Sequence, residues 1–242
     1  WAYASLYLPS AASSERPRDR LAHVVAFFVA GLHLAAVSYP HFPWVVWSPG
    51  AGKFSAALPD DTKIRLDLGA GAGAPSASSA RRATFEVVGR SGSGFRITGA
   101  DETICRAEGC GSLCFCDRGV TTVELGPGAR RLKFTMPELV ARPSAWRFGR
   151  GSVYDWRGSA HILDESSGFS CSLSFGHASL QSIGRAGRAR GGSGPTGSDA
   201  IVGRLRDGQG VEVGKIRGSW LGPLLCDGEV MWKGPKQQGW CL

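Results

Sequence analysis

The sequence predicts a mainly β fold: a large, largely antiparallel, barrel-like sheet, an incomplete barrel, preceded by a buried N-terminal helix. Three observations carry this reading. Phe169, Cys171, Leu173 and Phe175 alternate with Ser170, Ser172 and Ser174, and a period of two with one wet face is an antiparallel strand. About a dozen strand-like stretches follow one another between glycine- and proline-bearing turns, at the spacing of a sandwich or barrel. Ahead of them, residues 19–33 are apolar at helical spacing on every side, which marks a helix buried on most faces.

The elements follow in order. Residues 1–14 are small and apolar without clear periodicity, and no element is assigned to them. Ser14-Glu15-Arg16-Pro17 opens the helix with proline in its first turn. Gly31 is expected to fray its end. The prolines of Val37-Ser38-Tyr39-Pro40-His41-Phe42-Pro43 exclude regular structure there. Residues 44–47 read as a short strand. Further strands are assigned to residues 53–58, 62–68, 84–88, 94–98, 120–125 and 130–136, the last two joined by a Gly-Pro-Gly turn.

Residues 155–175 form a hairpin. Ala160, Ile162 and Asp164 alternate with His161 and Leu163, and Ser166-Ser167-Gly168 supplies the positive φ of the turn. Residues 200–206 and 211–220 make a second hairpin about Asp207-Gly208-Gln209-Gly210, and residues 229–233 a final strand. The whole reads as a single domain over 1–242, with flexible insertions at 69–80 and 184–198, both rich in small residues.

Composition bounds the function. Hydrophobic residues at 43% suffice for a core. A net charge of +8 favours anionic partners, nucleic acid or anionic membrane. The apolar run 21–37 contains His23 and His33 and is shorter than the roughly 20 clean apolar residues of a membrane span. With no secretory leader or span in view, a cytoplasmic protein with reduced thiols is expected.

The candidate chemistry is sparse. Cys105, Cys110, Cys114 and Cys116 have the wrong spacing for paired zinc knuckles. Cys114 and Cys116 are expected to point apart, so the stretch reads as an irregular loop with free thiols and no metal. Arg185, Arg188 and Arg190 lack the interleaved aromatics of a nucleic-acid segment. The Gly-rich 89–94 stretch lacks the lysine of a phosphate loop. No Gly-x-Ser-x-Gly elbow or partnered histidine appears, so no catalytic residue, enzyme activity or cofactor is expected.

Three blocks together resemble the ligand-binding domain of oxysterol-binding-protein-related lipid transfer proteins. Asp19-Arg-Leu-Ala-His-Val-Val-Ala-Phe-Phe-Val-Ala-Gly31 resembles the family's buried helix. Arg131-Leu-Lys-Phe-Thr-Met-Pro-Glu-Leu-Val-Ala-Arg142 resembles its Met-Pro strand and Ala-Arg pair, followed by Ser-Gly-x-x-Cys-x-Leu-x-Phe at 167–175. Residues 201–220, ending Ile216-Arg-Gly-Ser-Trp220, and Val230-Met-Trp232 resemble its late hairpin and following strand.

The departures lie at the headgroup motifs. Where the family has Glu-Gln-Val-Ser-His-His-Pro-Pro, this chain reads Ala35-Ala36-Val37-Ser38-Tyr39-Pro40-His41-Phe42-Pro43. Only Val37, Ser38, His41 and Pro43 are similar, and the family's Lys-Pro-Phe-Asn-Pro and Leu-Gly-Glu-Thr motifs have no room between Gly31 and Val37. The chain also stops soon after Trp240, where the family has further basic ligands. It therefore resembles a shortened, degenerate member.

The resemblance implies binding of a lipid, sterol or phospholipid, and its transfer between membranes, peripherally and at membrane contact sites. Phe169, Cys171, Leu173 and Phe175 are the implied tunnel wall, and Ser38 and His41 the implied headgroup contacts. The expected partners are a lipid ligand and an anionic membrane surface rather than nucleic acid. Two alternatives stay open: a basic nucleic-acid-binding barrel, and a relic of the family that binds nothing.

Overall fold

The structure, a computed structural model, describes residues 3–38, 51–69, 78–90, 94–108, 112–126, 128, 130–143, 152–176 and 199–234. Side chains are described at these positions except 36–38, 78–81, 142, 143, 152 and 153. Among the described residues, two helices precede a 13-stranded antiparallel sheet. Ala4–Ser13 is α1, which the sequence reading left unassigned. Pro9 inside it hides a helical spacing: Ala4, Leu8 and Ala11 are its buried residues.

Helix α2, Pro17–Ser38, begins at a proline, whose missing N–H costs nothing in the first turn. It runs through Gly31 and beyond His33, so the expected fraying at Gly31 is not seen, and Val37 and Ser38 are helical rather than irregular. Leu21, Val24, Val25, Ala26, Phe27, Phe28, Val29, Ala30 and Leu32 are all buried, as an all-round apolar helix requires.

The strands are β1 Gly52–Ala57, β2 Lys63–Leu68, β3 Ser78–Val88, β4 Phe95–Ala107, β5 Leu113–Leu125, β6 Arg130–Phe134 and β7 Glu138–Pro143. They continue with β8 Ser152–Asp164, β9 Ser170–Phe175, β10 Ala200–Arg206, β11 Glu212–Ser219, β12 Leu224–Cys226 and β13 Glu229–Trp232. Neighbours in sequence are mostly neighbours in the sheet, from β1 at one edge to β13 at the other. Residues 78–80, read as part of a flexible insertion, belong to β3, and β4 and β5 are each 13 residues long. Cys105 is thus on β4 and Cys114 and Cys116 are on β5 rather than in a loop, while Cys110 lies outside the described residues. The expected strand at 44–47 and the insertion at 184–198 lie outside the described residues.

One place departs from simple order. Both β6 and β7 lie between β5 and β8: β6 pairs Thr121–Leu125 of β5, and β7 pairs Leu113–Phe115. They amount to one strand broken at Thr135-Met136-Pro137, because Pro137 has no N–H to give the ladder. On β8 the pairing passes from β7 to β6 across Gly158, whose φ of +85° is a conformation that glycine adopts without strain.

Helix α1 packs on β4 and β5, and α2 on β8, β9 and β13. The end of α2 is tied down by Trp156 Nε1, which donates to Leu32 O (3.1 Å), and by His33 Nδ1, 2.9 Å from Trp220 O. Its start is held by a buried ion pair. Arg20 Nε and Nη2 donate to Asp164 Oδ2 at 2.9 and 2.7 Å, with both side chains nearly inaccessible. Asp164 Oδ1 accepts from the Ser166 amide (3.0 Å) and hydroxyl, closing the β8–β9 turn. Gly168 takes the expected positive φ there, +74°.

Burial alone would raise the Asp164 pKa, but hydrogen bonds from Ser166, Arg20 and Ser167 outweigh it and hold the carboxyl below its ordinary value.

Two stability outcomes follow from these contacts. A Cβ at Gly31 meets nothing within 4 Å, so Gly31→Ala should raise stability by about 0.5–1 kcal/mol in denaturant titration. Asp164→Asn should lower it by about 3–5 kcal/mol, since Arg20 would keep a buried, unpaired charge, whereas the double change Arg20→Met/Asp164→Leu should cost less. Because the folded pKa is depressed, the Asp164 contribution is full above the unfolded value of about 3.9 and fades as pH falls through the folded one. Denaturation midpoints of wild type and Asp164→Asn should therefore converge in strong acid.

Candidate functional site

The register sorts the sheet into two faces. The inner face, toward the helices, carries Val123 and Leu125 of β5, Leu132 and Phe134 of β6, and Ala160 and Ile162 of β8, all buried in one core. Cys171, Leu173 and Phe175 of β9 continue this face at 1%, 0% and 0% exposure, with Phe169 half-buried against the same core. The four sequence-identified wall residues are therefore together on one face. They are packed under α2 rather than around open space. Burial pushes the Cys171 thiol pKa up, so this residue behaves as a small apolar core side chain.

Toward β1 the helices give out. Phe54, Leu66 and Phe85 stand in register on adjacent strands: Phe54 opposite Leu66, and Leu66 opposite Phe85. Phe85 is buried, lying over Gly99, where an added Cβ would sit 2.3 Å from the ring. Leu66 is half-buried, and Phe54 is 55% exposed. The apolar row thus runs from covered core to open surface within three strands. An open depression of about 400 Å³ crosses the same strands, but most of its lining, Lys53, Ser55, Arg65, Asp67, Thr84 and Glu86, is on the opposite, polar face. It is a surface feature rather than an enclosed tunnel.

The outer face is polar across β1–β4, with cross-strand pairs Lys53–Asp67, Arg65–Glu86, Arg96–Glu86 and Arg82–Glu102. Exposed pairs of this kind contribute little stability individually.

Of the two implied headgroup residues, Ser38 is the last residue of α2, its side chain outside the described residues, and His41 lies outside them altogether. His161 faces outward, 3.2 Å from Ser172 Oγ.

The cysteine stretch is reordered by the structure. Cys114 and Cys116, expected to point apart, lie on one face of β5, as residues two apart on a strand must. Their Sγ atoms are 3.6 Å apart, and Cys116 Sγ donates to Glu138 Oε1 at 3.2 Å. Arg157 Nε donates to Glu138 Oε2 (2.9 Å), and its other nitrogens donate to Glu108. Arg157 holds the Glu138 carboxyl below its ordinary pKa. Burial, aided by the hydrogen bond to Glu138, pushes the Cys116 thiol up to about 12. This cluster and the Arg20–Asp164 pair escaped sequence reasoning. The spacing of Cys114 and Cys116 was the one available signal.

Comparison with known proteins finds no matching family model and no matching curated protein. Solved structures do match. The Osh1 ORD domain in complex with cholesterol superposes with a TM-score of 0.65 at 16% identity, over 99% of this chain and 49% of that one. The Osh1 ORD domain with ergosterol gives 0.62 at 17%, over 99% and 49%. The Osh3 ORD with PI(4)P from Saccharomyces cerevisiae gives 0.65 at 13%, over 97% and 56%. The chain has the fold of these oxysterol-binding-protein-related domains and spans about half their length.

Proposed function

We propose that this chain binds a lipid, a sterol or the tail of a phospholipid, on the inner face of its sheet and can pass it between membranes. The observation that carries the reading is the row Phe54–Leu66–Phe85, an apolar inner face that runs from the buried core at Phe85 to an exposed Phe54. The fold adds support, since domains sharing it have been solved with cholesterol, ergosterol and PI(4)P. A lipid laid along this row removes apolar surface from water at about 25 cal/mol per Å², which offsets its extraction from a bilayer.

Phe169, Cys171, Leu173 and Phe175 belong to the same inner face beneath α2, beyond β4, β5, β6 and β8 in the sheet, and would back the site as packed core rather than touch the ligand. The headgroup would meet the end of α2 near Ser38 and His41. With an adjacent histidine pair absent from that segment, phosphoinositide capture should be weak. The net charge of +8 favours contact with anionic membranes, at about 1 kcal/mol per well-placed Lys or Arg. No step in this function makes or breaks a covalent bond.

The direct test is incubation of the pure chain with mixed-lipid liposomes and mass spectrometry of what co-purifies. Sterol or phospholipid should be recovered, and recovery of none would retire the reading. Phe54→Asp should reduce capture by about tenfold or more, the effect of losing a buried phenyl contact, while circular dichroism stays unchanged. His41→Ala should weaken phospholipid capture and spare sterol capture, and equal loss of both would remove His41 from the headgroup site.

A further inference from the structure

The proposed lipid site makes no use of the outer face where the broken strand β6–β7 is interrupted. There Cys114 and Cys116, 2% and 9% exposed, form with Val140 a small buried cluster separate from the main core. Glu138 opens β7 immediately after Pro137, opposite Arg157. The two Sγ atoms and a Glu138 carboxylate oxygen all lie within 4.8 Å of one another.

The spacing suits one ion. With bonds of about 2.3 Å to sulfur and 2.0–2.2 Å to oxygen, a tetrahedral zinc centre sets S···S near 3.8 Å and S···O near 3.5 Å. The thiols here are 3.6 Å apart, and Cys116 Sγ is 3.2 Å from Glu138 Oε1. The carboxylate is already oriented. Arg157 Nε occupies Oε2 at 2.9 Å and leaves Oε1 facing the thiols, the arrangement by which outer partners aim a metal ligand. Arg157 Nη2 also sits 3.3 Å from Cys114 Sγ, where it can donate to a thiolate. Glu108 pins the guanidinium from its far side, so the arginine need not move.

We propose that Cys114, Cys116 and Glu138 form a three-ligand site for a thiophilic divalent cation, zinc by class, with a fourth position open to water or an external ligand. Thiolate ligands select against magnesium and calcium, which take oxygen sets. Uptake exchanges two thiol protons for one divalent ion, so the net charge around Arg157 does not change. The ion would join β5 to β7 astride their last pair, Phe115 with Leu139, at the end of the ladder nearest the proline break. Its effect is to staple the sheet where the proline interrupts the ladder. The competing account is a thiol pair that packs against Val140 and needs no ion.

The test uses the full chain, reduced, equilibrated with zinc, gel-filtered and assayed for bound metal by mass spectrometry. Stoichiometric zinc and a raised thermal midpoint are expected. Zinc should be lost in Cys114→Ser and Cys116→Ser, weakened about tenfold or more in Glu138→Gln, and kept in Cys105→Ser, whose residue pairs with Phe115 on the other face. Should the serine variants misfold, the wild type suffices: zinc should slow alkylation of Cys114 and Cys116 without affecting Cys105. Cobalt in place of zinc should give a thiolate charge-transfer band. Absence of bound zinc in the reduced wild type, zinc retained by folded Cys114→Ser/Cys116→Ser, or unprotected thiols would each overturn the site.

Discussion

The buried pair between Arg20 and Asp164 is the constraint on which the arrangement of helix and sheet depends. An apolar-all-round helix can slide or rotate against a sheet at little hydrophobic cost, because every face is equally content with the core. A charge pair with both members nearly inaccessible permits one register only. It locks the first turns of α2 to the end of β8, and through the Ser166 amide and hydroxyl to the β8–β9 turn. Such pairs add little net stability relative to an apolar replacement, but breaking one partner is costly. The interaction therefore specifies position more than it strengthens the fold.

From that anchor the sheet turns around the helix. Trp156 and His33 fix the far end of α2 to β8 and to the segment after β11. The proline break between β6 and β7, together with Gly158, lets β5 and β8 change partner partway along their length. The same break places Glu138 beside the two β5 thiols. One local interruption, forced by a missing N–H, thus shapes the sheet and gathers the outer-face cluster.

The chain spans about half the length of the solved domains that share its fold. Its apolar inner face is covered by α1 and α2 over β4–β5 and β8–β9 and is open at Phe54. Open apolar surface next to a well-packed core is what a lipid-binding reading requires. Arg157 and its carboxylates lie on the opposite face, away from that surface.

Local pattern alone was enough to establish much of this. Alternation with serine identified β9 and its buried face, the Ser-Ser-Gly and Asp-Gly-Gln-Gly turns set two hairpins, and a run apolar at helical spacing on every side marked α2. These signals are legible because strand period, turn conformation and helical spacing involve residues a few positions apart. Helix α1 was obscured by Pro9, and the long β4–β5 hairpin by a Gly-, Asp- and Cys-bearing stretch without clean alternation. Only the tertiary structure decided that Arg20 meets Asp164, 144 positions away, that Glu138 and Arg157 close on Cys114 and Cys116, and that Phe54 stands uncovered. Such contacts depend on where two distant strands come to rest, and no local spacing encodes that.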